Sequence, residues 1–108
     1  MFRVFTTKEF DSRFENLDES DKKIVRKIMN QLGEQGADVG KPLRVPYFRE
    51  KRFGNKRLYF LVYKDFAVIL AVAISDKKSQ QEMIDRIISE INSYKSFVIK
   101  RLKELEKD

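Results

Sequence analysis

The chain has no cysteine and no histidine among its 108 residues. Without cysteine, neither a disulfide framework nor a thiolate metal site can form. Without histidine, the side chain that most often serves as acid or base near neutral pH is missing, and so is the usual nitrogen ligand of metals. Any acid–base catalysis would therefore rest on lysine, arginine, tyrosine or a carboxylate. We expect no metal and no other cofactor.

Long apolar runs are also lacking. No stretch approaches the roughly 18 apolar residues that a membrane-spanning helix needs. The N-terminal segment MFRVFTTKEF is too short and too polar for a signal peptide, so we expect a cytoplasmic protein. The length predicts one domain over residues 1–108, with a charged helical extension over about residues 95–108.

Positive charge is what the chain has in excess. Lysine and arginine number 23 against 17 aspartates and glutamates, which gives a formal net charge of +6. Such a balance favours an acidic partner, which could be nucleic acid, a ribosome, an anionic membrane surface or an acidic protein.

The first third of the chain predicts a strand followed by two helices. Residues 2–5 read as a short strand, and Thr6 with Glu9 forms a capping-box pattern before the first helix. The acidic segment 18–21 ends that helix and caps a second one over about residues 20–35, whose apolar residues recur at helical spacing.

The rest of the chain predicts three strands and one helix. The strands cover about residues 47–53, 56–64 and 66–75, and a single long helix begins near Ser79. The third strand is apolar on both faces, so we expect it at the centre of its sheet. Helices that are separate from an antiparallel three-strand meander predict an α+β fold.

The most cationic segment is a predicted hairpin that turns at Gly54-Asn55. This turn would pair Arg52 with Arg57 and Glu50 with Tyr59 on one face of the sheet. The same face, which we expect to be open to solvent, continues with the apolar residues Leu61, Val68 and Leu70. A surface that is cationic at one end and apolar at the other is typical of a binding site. The alternative is a solvated edge with scattered charges.

A loop with Pro42-Leu43 follows the helical hairpin and leads to a basic strand with Gly54, Asn55, Arg57 and Leu58. Over about residues 1–90, this order resembles the RelE/ParE toxin superfamily. The resemblance implies a RelE-like toxin of a type II toxin–antitoxin system. It implies a ribosome-dependent mRNA endoribonuclease that inhibits translation, with a cognate antitoxin, the ribosome and its mRNA as partners. In such enzymes lysine and arginine take the place of the usual histidines.

The resemblance also assigns roles to basic residues. Arg57 would clamp the phosphate under attack, and Arg52 and Lys78 would complete the catalytic set, since guanidinium and ammonium groups stabilise developing negative charge. The remaining RNA-binding residues would be Arg49, Lys51, Lys56, Lys77 and Tyr59.

Two departures keep a second function open. Glu50 stands where the family often has a basic residue, and the first tyrosine after Lys78 is Tyr94. The alternative is a ParE-type protein, or a RelE-fold protein that has lost catalysis and acts by binding other proteins. In either case we expect an antitoxin segment to bind the apolar open face.

Overall fold

The computed structural model describes residues 1–106. The strands are β1 (Arg3–Thr6), β2 (Lys41–Pro42), β3 (Phe48–Phe53), β4 (Lys56–Tyr63) and β5 (Val68–Asp76). The helices are α1 (Lys8–Glu15), α2 (Glu19–Gln35), α3 (Gln80–Ser89) and α4 (Ile91–Glu106). The strands form one sheet in the order β1-β5-β4-β3-β2, in which β1 runs parallel to β5 and all other pairs are antiparallel. The predicted α+β fold is confirmed.

The helical hairpin begins one residue later than the capping pattern predicts. Thr7, not Thr6, caps α1, because its side-chain oxygen accepts a hydrogen bond from the Phe10 N–H at 3.0 Å. Thr6 still belongs to β1, where it is paired with Ala71. The predicted cap of α2 is confirmed, since the Asp18 carboxylate accepts from a backbone N–H in the first turn at 2.7 Å.

The apolar strand β5 is interior but not central. It lies between β1 and β4, and β4 occupies the middle of the sheet. The difference arises because the predicted loop before β3 contains a short fifth strand, Lys41–Pro42, which pairs with β3 and becomes the edge. The sheet therefore extends one strand further on the β3 side than the sequence predicts.

Helices cover both faces of the sheet. One face packs on α1 and α2 around a core that includes Phe10, Val25, Leu32, Phe60 and Ile69. The other face packs on α3 and α4 around a second core that includes Phe48, Leu70, Ile84, Ile87 and Val98. The expectation of an open face is therefore wrong. Leu61, Val68 and Leu70, the predicted antitoxin surface, are fully buried.

The predicted last helix is two helices. The break lies at Glu90, whose backbone N–H donates hydrogen bonds to carbonyls in the last turn of α3. In α4, Val98 is fully buried and Leu102 packs against the second core, so the predicted extension lies on the sheet at least that far. Lys107 and Asp108, the end of that extension, lie outside the described residues.

A β-bulge decides which side chains of β5 face which core. Tyr59 pairs with Ala73 but Phe60 pairs with Ala71, so Val72 has no partner on β4. Simple alternation from Ala71 places Ala73 on the α1–α2 side. The bulge moves Ala73 into the α3–α4 core instead.

Between residues 1 and 106, no helix is both long and apolar enough to span a membrane.

Candidate functional site

The cationic hairpin has the predicted turn and register. Gly54 adopts a positive φ of 59°, which glycine accommodates without strain. Arg52 lies opposite Arg57, and Glu50 lies opposite Tyr59. The register prediction is therefore confirmed, and these four side chains belong to one face of the β3–β4 pair. We call this end of the sheet the hairpin end.

Arg57 is buried, which differs from the exposed position that a phosphate clamp suggests. Its exposed fraction is 3%, and that of Glu50 is 2%. The Arg57 Nε lies 4.0 Å from Glu50 Oε1, and Nη1 donates to the Lys56 carbonyl at 3.1 Å. Nε itself is buried with no hydrogen-bond partner in the described chain. The guanidinium is thus neutralised by a neighbouring carboxylate and incompletely hydrogen-bonded.

The start of α3 explains this burial. Gln80, the first residue of α3, donates from Nε2 to both carboxylate oxygens of Glu50, at 2.8 and 3.1 Å. Sequence reasoning missed Gln80. The glutamate itself was the available signal, because a buried carboxylate needs both a cation and hydrogen-bond donors.

Tyr59 lies opposite Glu50 and makes a separate buried hydrogen bond. Its hydroxyl lies 2.7 Å from Ser75 Oγ, which donates in turn to the Asp76 carbonyl at 3.0 Å. Burial is the largest cause that raises the pKa of Tyr59 above its ordinary value. Since Tyr59 is fully buried, its predicted contact with RNA needs a movement that this structure does not contain.

Other predicted residues are exposed at the hairpin end. The exposed set is Arg52, Lys77 and Lys78. The Lys77 N–H donates to the Asn55 carbonyl at 2.7 Å, which ties the segment after β5 to the hairpin turn. No carboxylate in the described part of the chain lies within 4 Å of these three cationic groups. They form a cationic surface directly outside the buried Glu50–Arg57 pair.

The remaining predicted RNA-binding residues do not join this surface. The Lys56 ammonium lies 2.9 Å from an Asp21 carboxylate oxygen on α2. The Arg49 guanidinium donates to the carbonyls of Val39 and Gly40, both at 2.8 Å. Lys51 is half-buried. Strand alternation places all three basic residues on the opposite face from Arg52 and Arg57.

A second feature, which the sequence analysis missed, lies where β4 ends. A cleft of about 530 Å³ opens there between the strand ends and the start of α4. Its lining includes Tyr47, Tyr63, Lys64, Phe66 and Lys95. We call it the turn-end cleft. The available signal was the concentration of aromatic and basic residues around the turn that follows β4.

Solved structures show which known fold this is. The isolated Escherichia coli RelE toxin superposes with a TM-score of 0.64 at 14% identity, over 81% of this chain and 99% of that one. The chain has the fold of the RelE toxins. The RelBE2 toxin–antitoxin complex of Mycobacterium tuberculosis superposes with a TM-score of 0.61 at 19% identity, over 69% of this chain and 96% of that one. The RelE–RelB complex of Pyrococcus horikoshii superposes with a TM-score of 0.59 at 13% identity, over 69% of this chain and 93% of that one.

Comparisons of the sequence with protein families and with curated proteins find no match. The RelE fold is thus established by structure.

Proposed function

We propose that this chain is the toxin of a type II toxin–antitoxin pair, and that it inhibits translation as a RelE-like, ribosome-dependent mRNA endoribonuclease. The observation that carries the proposal is the cationic surface of Arg52, Lys77 and Lys78 on a RelE fold. Arg52 comes from β3 and the two lysines from the segment after β5, all three are exposed, and none forms a salt bridge within 4 Å in the described part of the chain. A surface of this kind favours the phosphates of a nucleic acid.

The chemistry fits a chain without histidine. In the proposed reaction, the 2′-hydroxyl of the mRNA loses its proton to water as its oxygen bonds to the adjacent phosphorus. The bond from phosphorus to the 5′-oxygen breaks, and that oxygen takes up a proton from water. The products are a cyclic phosphate and a 5′-hydroxyl. Arg52 and Lys78 would stabilise the charge that develops on the phosphate oxygens. Arg57 would add to this after the Glu50–Arg57 pair opens, because its guanidinium is otherwise buried.

A second candidate function is favoured by one specific observation. Arg57 is buried against Glu50, an acidic residue in the middle of the expected catalytic set. A RelE-fold protein with this arrangement could act by protein binding alone, either in the manner of ParE or as a catalytically inactive partner of an antitoxin.

Controlled expression without antitoxin separates these functions. If the chain cuts mRNA, incorporation of labelled methionine stops before incorporation of labelled thymidine, and new mRNA 5′ ends map inside translated codons. If thymidine incorporation stops first, the ParE-type function replaces our proposal. If both continue while the purified chain binds its antitoxin, the chain acts by binding alone.

The antitoxin is tested by co-expression with the product of the neighbouring small gene. We expect a complex that survives purification, and growth that continues in its presence. The exposed apolar residues Phe97 and Leu105 of α4 are available for this contact. A neighbouring product that neither binds the chain nor relieves growth arrest contradicts the proposed pairing.

A further inference from the structure

The turn-end cleft lies far from the hairpin end. The seven residue steps from Lys56 to Tyr63 along β4, at about 3.3 Å each, separate the two ends of the strand by roughly 23 Å. A ligand in the cleft would therefore occupy a different site from a phosphate held at Arg52 and Lys78. A cleft of about 530 Å³ falls within the size range of ligand-binding pockets.

Three aromatic rings form a continuous row along the cleft. The ring centroids of Tyr47 and Tyr63 are 6.3 Å apart, and those of Tyr63 and Phe66 are also 6.3 Å apart, the latter with a 30° interplanar angle. Tyr63 in the middle is buried, whereas Tyr47 is 40% exposed and Phe66 is 36% exposed. Aromatic rings held rigidly by a buried neighbour are suitable platforms for a stacked base.

Basic side chains surround these rings. Arg49, Lys64 and Lys95 line the cleft together with a single acidic residue, Asp65. Arg49 donates to neutral backbone carbonyls, so its charge is not cancelled there. Lys64 and Lys95 make no ion pair within residues 1–106. The cleft therefore has an excess of positive charge beside its aromatic surface.

The Tyr63 hydroxyl, at the middle ring of the row, has an unmet hydrogen-bonding requirement. It is buried and has no hydrogen-bond partner in the described chain. Burial raises the pKa of Tyr63 well above its ordinary value, so the hydroxyl keeps its proton at neutral pH and remains a donor. Leaving such a group unpaired is unfavourable, and because the hydroxyl is closed to solvent, an acceptor on a ligand would reach it only after the neighbouring rings move.

We propose that the turn-end cleft binds a nucleotide of single-stranded RNA. The base stacks on the exposed ring of Tyr47 or Phe66, and Lys64 and Lys95 hold the phosphate. Aromatic platforms combined with cations are the common means of binding single strands. The inference goes beyond the proposed function, because it requires neither the ribosome nor cleavage of the RNA.

The test uses the purified full chain and a short dye-labelled oligouridylate, with binding followed by fluorescence anisotropy. The chain has no tryptophan, so quenching of its tyrosine emission gives a second readout. We expect Tyr47→Ala or Phe66→Ala to weaken binding roughly 5- to 150-fold, the range found when a stacking residue is removed. Ile24→Ala is the control, because Ile24 is a large apolar residue that is 41% exposed but does not line the cleft.

Charge is tested by the salt dependence of the same binding. Lys95→Gln should reduce the slope of log K against log salt by about 0.7, the value for one lost phosphate contact on a single strand. Melting temperatures of all variants should match the parent, which excludes misfolding as the cause.

Three results would overturn the inference. The first is binding of oligouridylate by Tyr47→Ala and Phe66→Ala as tight as that of the parent. The second is binding that is lost on Arg52→Ala but unchanged by the cleft variants. The third is the absence of RNA binding together with binding of an acidic peptide, which would make the cleft a protein-docking site. Because no ribosome is present, none of these results affects the test of mRNA cleavage.

Discussion

The hairpin end of the sheet has a buried half and an exposed half. Glu50 and Arg57 are nearly inaccessible to solvent, whereas Arg52, Lys77 and Lys78 are exposed. Arg52 and Arg57 are even direct partners across β3 and β4. The start of α3 contributes to the difference, because Gln80 donates to both carboxylate oxygens of Glu50 and holds it in the inner pair. Strand register determines which residues share a face, but the elements packed on that face determine which residues can meet a ligand.

The largest expected effect is on the buried half. Arg57→Ala leaves the Glu50 carboxylate buried without its cation, and breaking a buried pair in this way typically costs about 3–5 kcal/mol of folding free energy. Urea unfolding followed by circular dichroism measures this loss. Arg52→Ala, on the exposed half, should change the unfolding free energy by less than about 0.5 kcal/mol. Equal effects of the two substitutions would remove the distinction between the halves.

A smaller effect is expected when both partners of the pair become apolar. Glu50→Leu combined with Arg57→Met removes the buried charges together, and such replacements are often neutral or stabilising. The double variant should therefore be more stable than Arg57→Ala in the same urea titration. If the double variant instead loses as much unfolding free energy as Glu50→Leu and Arg57→Met lose separately, added together, the two side chains do not interact.

The dependence of folding stability on alkaline pH reports on the buried tyrosines at both ends of the sheet. At the hairpin end, burial raises the pKa of Tyr59. At the other end, burial raises the pKa of Tyr63, and it raises the pKa of Tyr94 to about 12. An unfolded tyrosine ionises near pH 10, so the unfolded chain loses these protons first. Stability from these groups is complete below pH 10 and falls as the pH rises through 10 towards 12.

Absorbance at 295 nm follows this ionisation directly, and unfolding at pH 9 and pH 11 measures the loss. Tyr94→Phe should reduce the loss at pH 11. A spectrum in which all tyrosines ionise together near pH 10 while the chain is still folded would contradict the burial that we describe.

The smallest expected effect comes from the hydrogen bond inside the buried half. Tyr59→Phe removes the contact with Ser75, and a typical intramolecular hydrogen bond contributes about 1 kcal/mol. Ser75 keeps its bond to the Asp76 carbonyl, which limits the damage. Thermal unfolding should show a modest decrease, and Lys77→Ala on the exposed half should show none. A larger loss for Lys77→Ala would mean that the exposed half also supports the fold.

Features with a local cause were predictable from the sequence. Gly54 and Asn55 specify the turn, and alternation with a period of two then gives the pairing of Arg52 with Arg57. The cap at Asp18 follows from its own side chain. The resemblance of the hairpin motif, placed after two helices, led to the RelE fold that the solved structures show.

What was missed depends on contacts between distant segments. The apolar stripe of the last helical segment shows that it buries one face, but not that this face covers Leu61 and Leu70. No local sequence pattern predicts the bulge at Val72 or the contact of Gln80 with Glu50. The turn-end cleft is assembled from strand ends and α4, so no single segment of the sequence contains it.

Mapping of mRNA cleavage in translating cells tests the central claim most directly, with the parent chain compared to Arg52→Ala/Lys78→Ala. Both substitutions lie on the exposed half, so the variant should fold and bind its antitoxin as the parent does. We predict that the parent cuts mRNA within codons, and that the variant cuts at least 100-fold less, as expected when a group that stabilises the transition state is lost. Equal cleavage by a variant of unchanged melting temperature, or intact mRNA in cells arrested by the parent, would contradict the account.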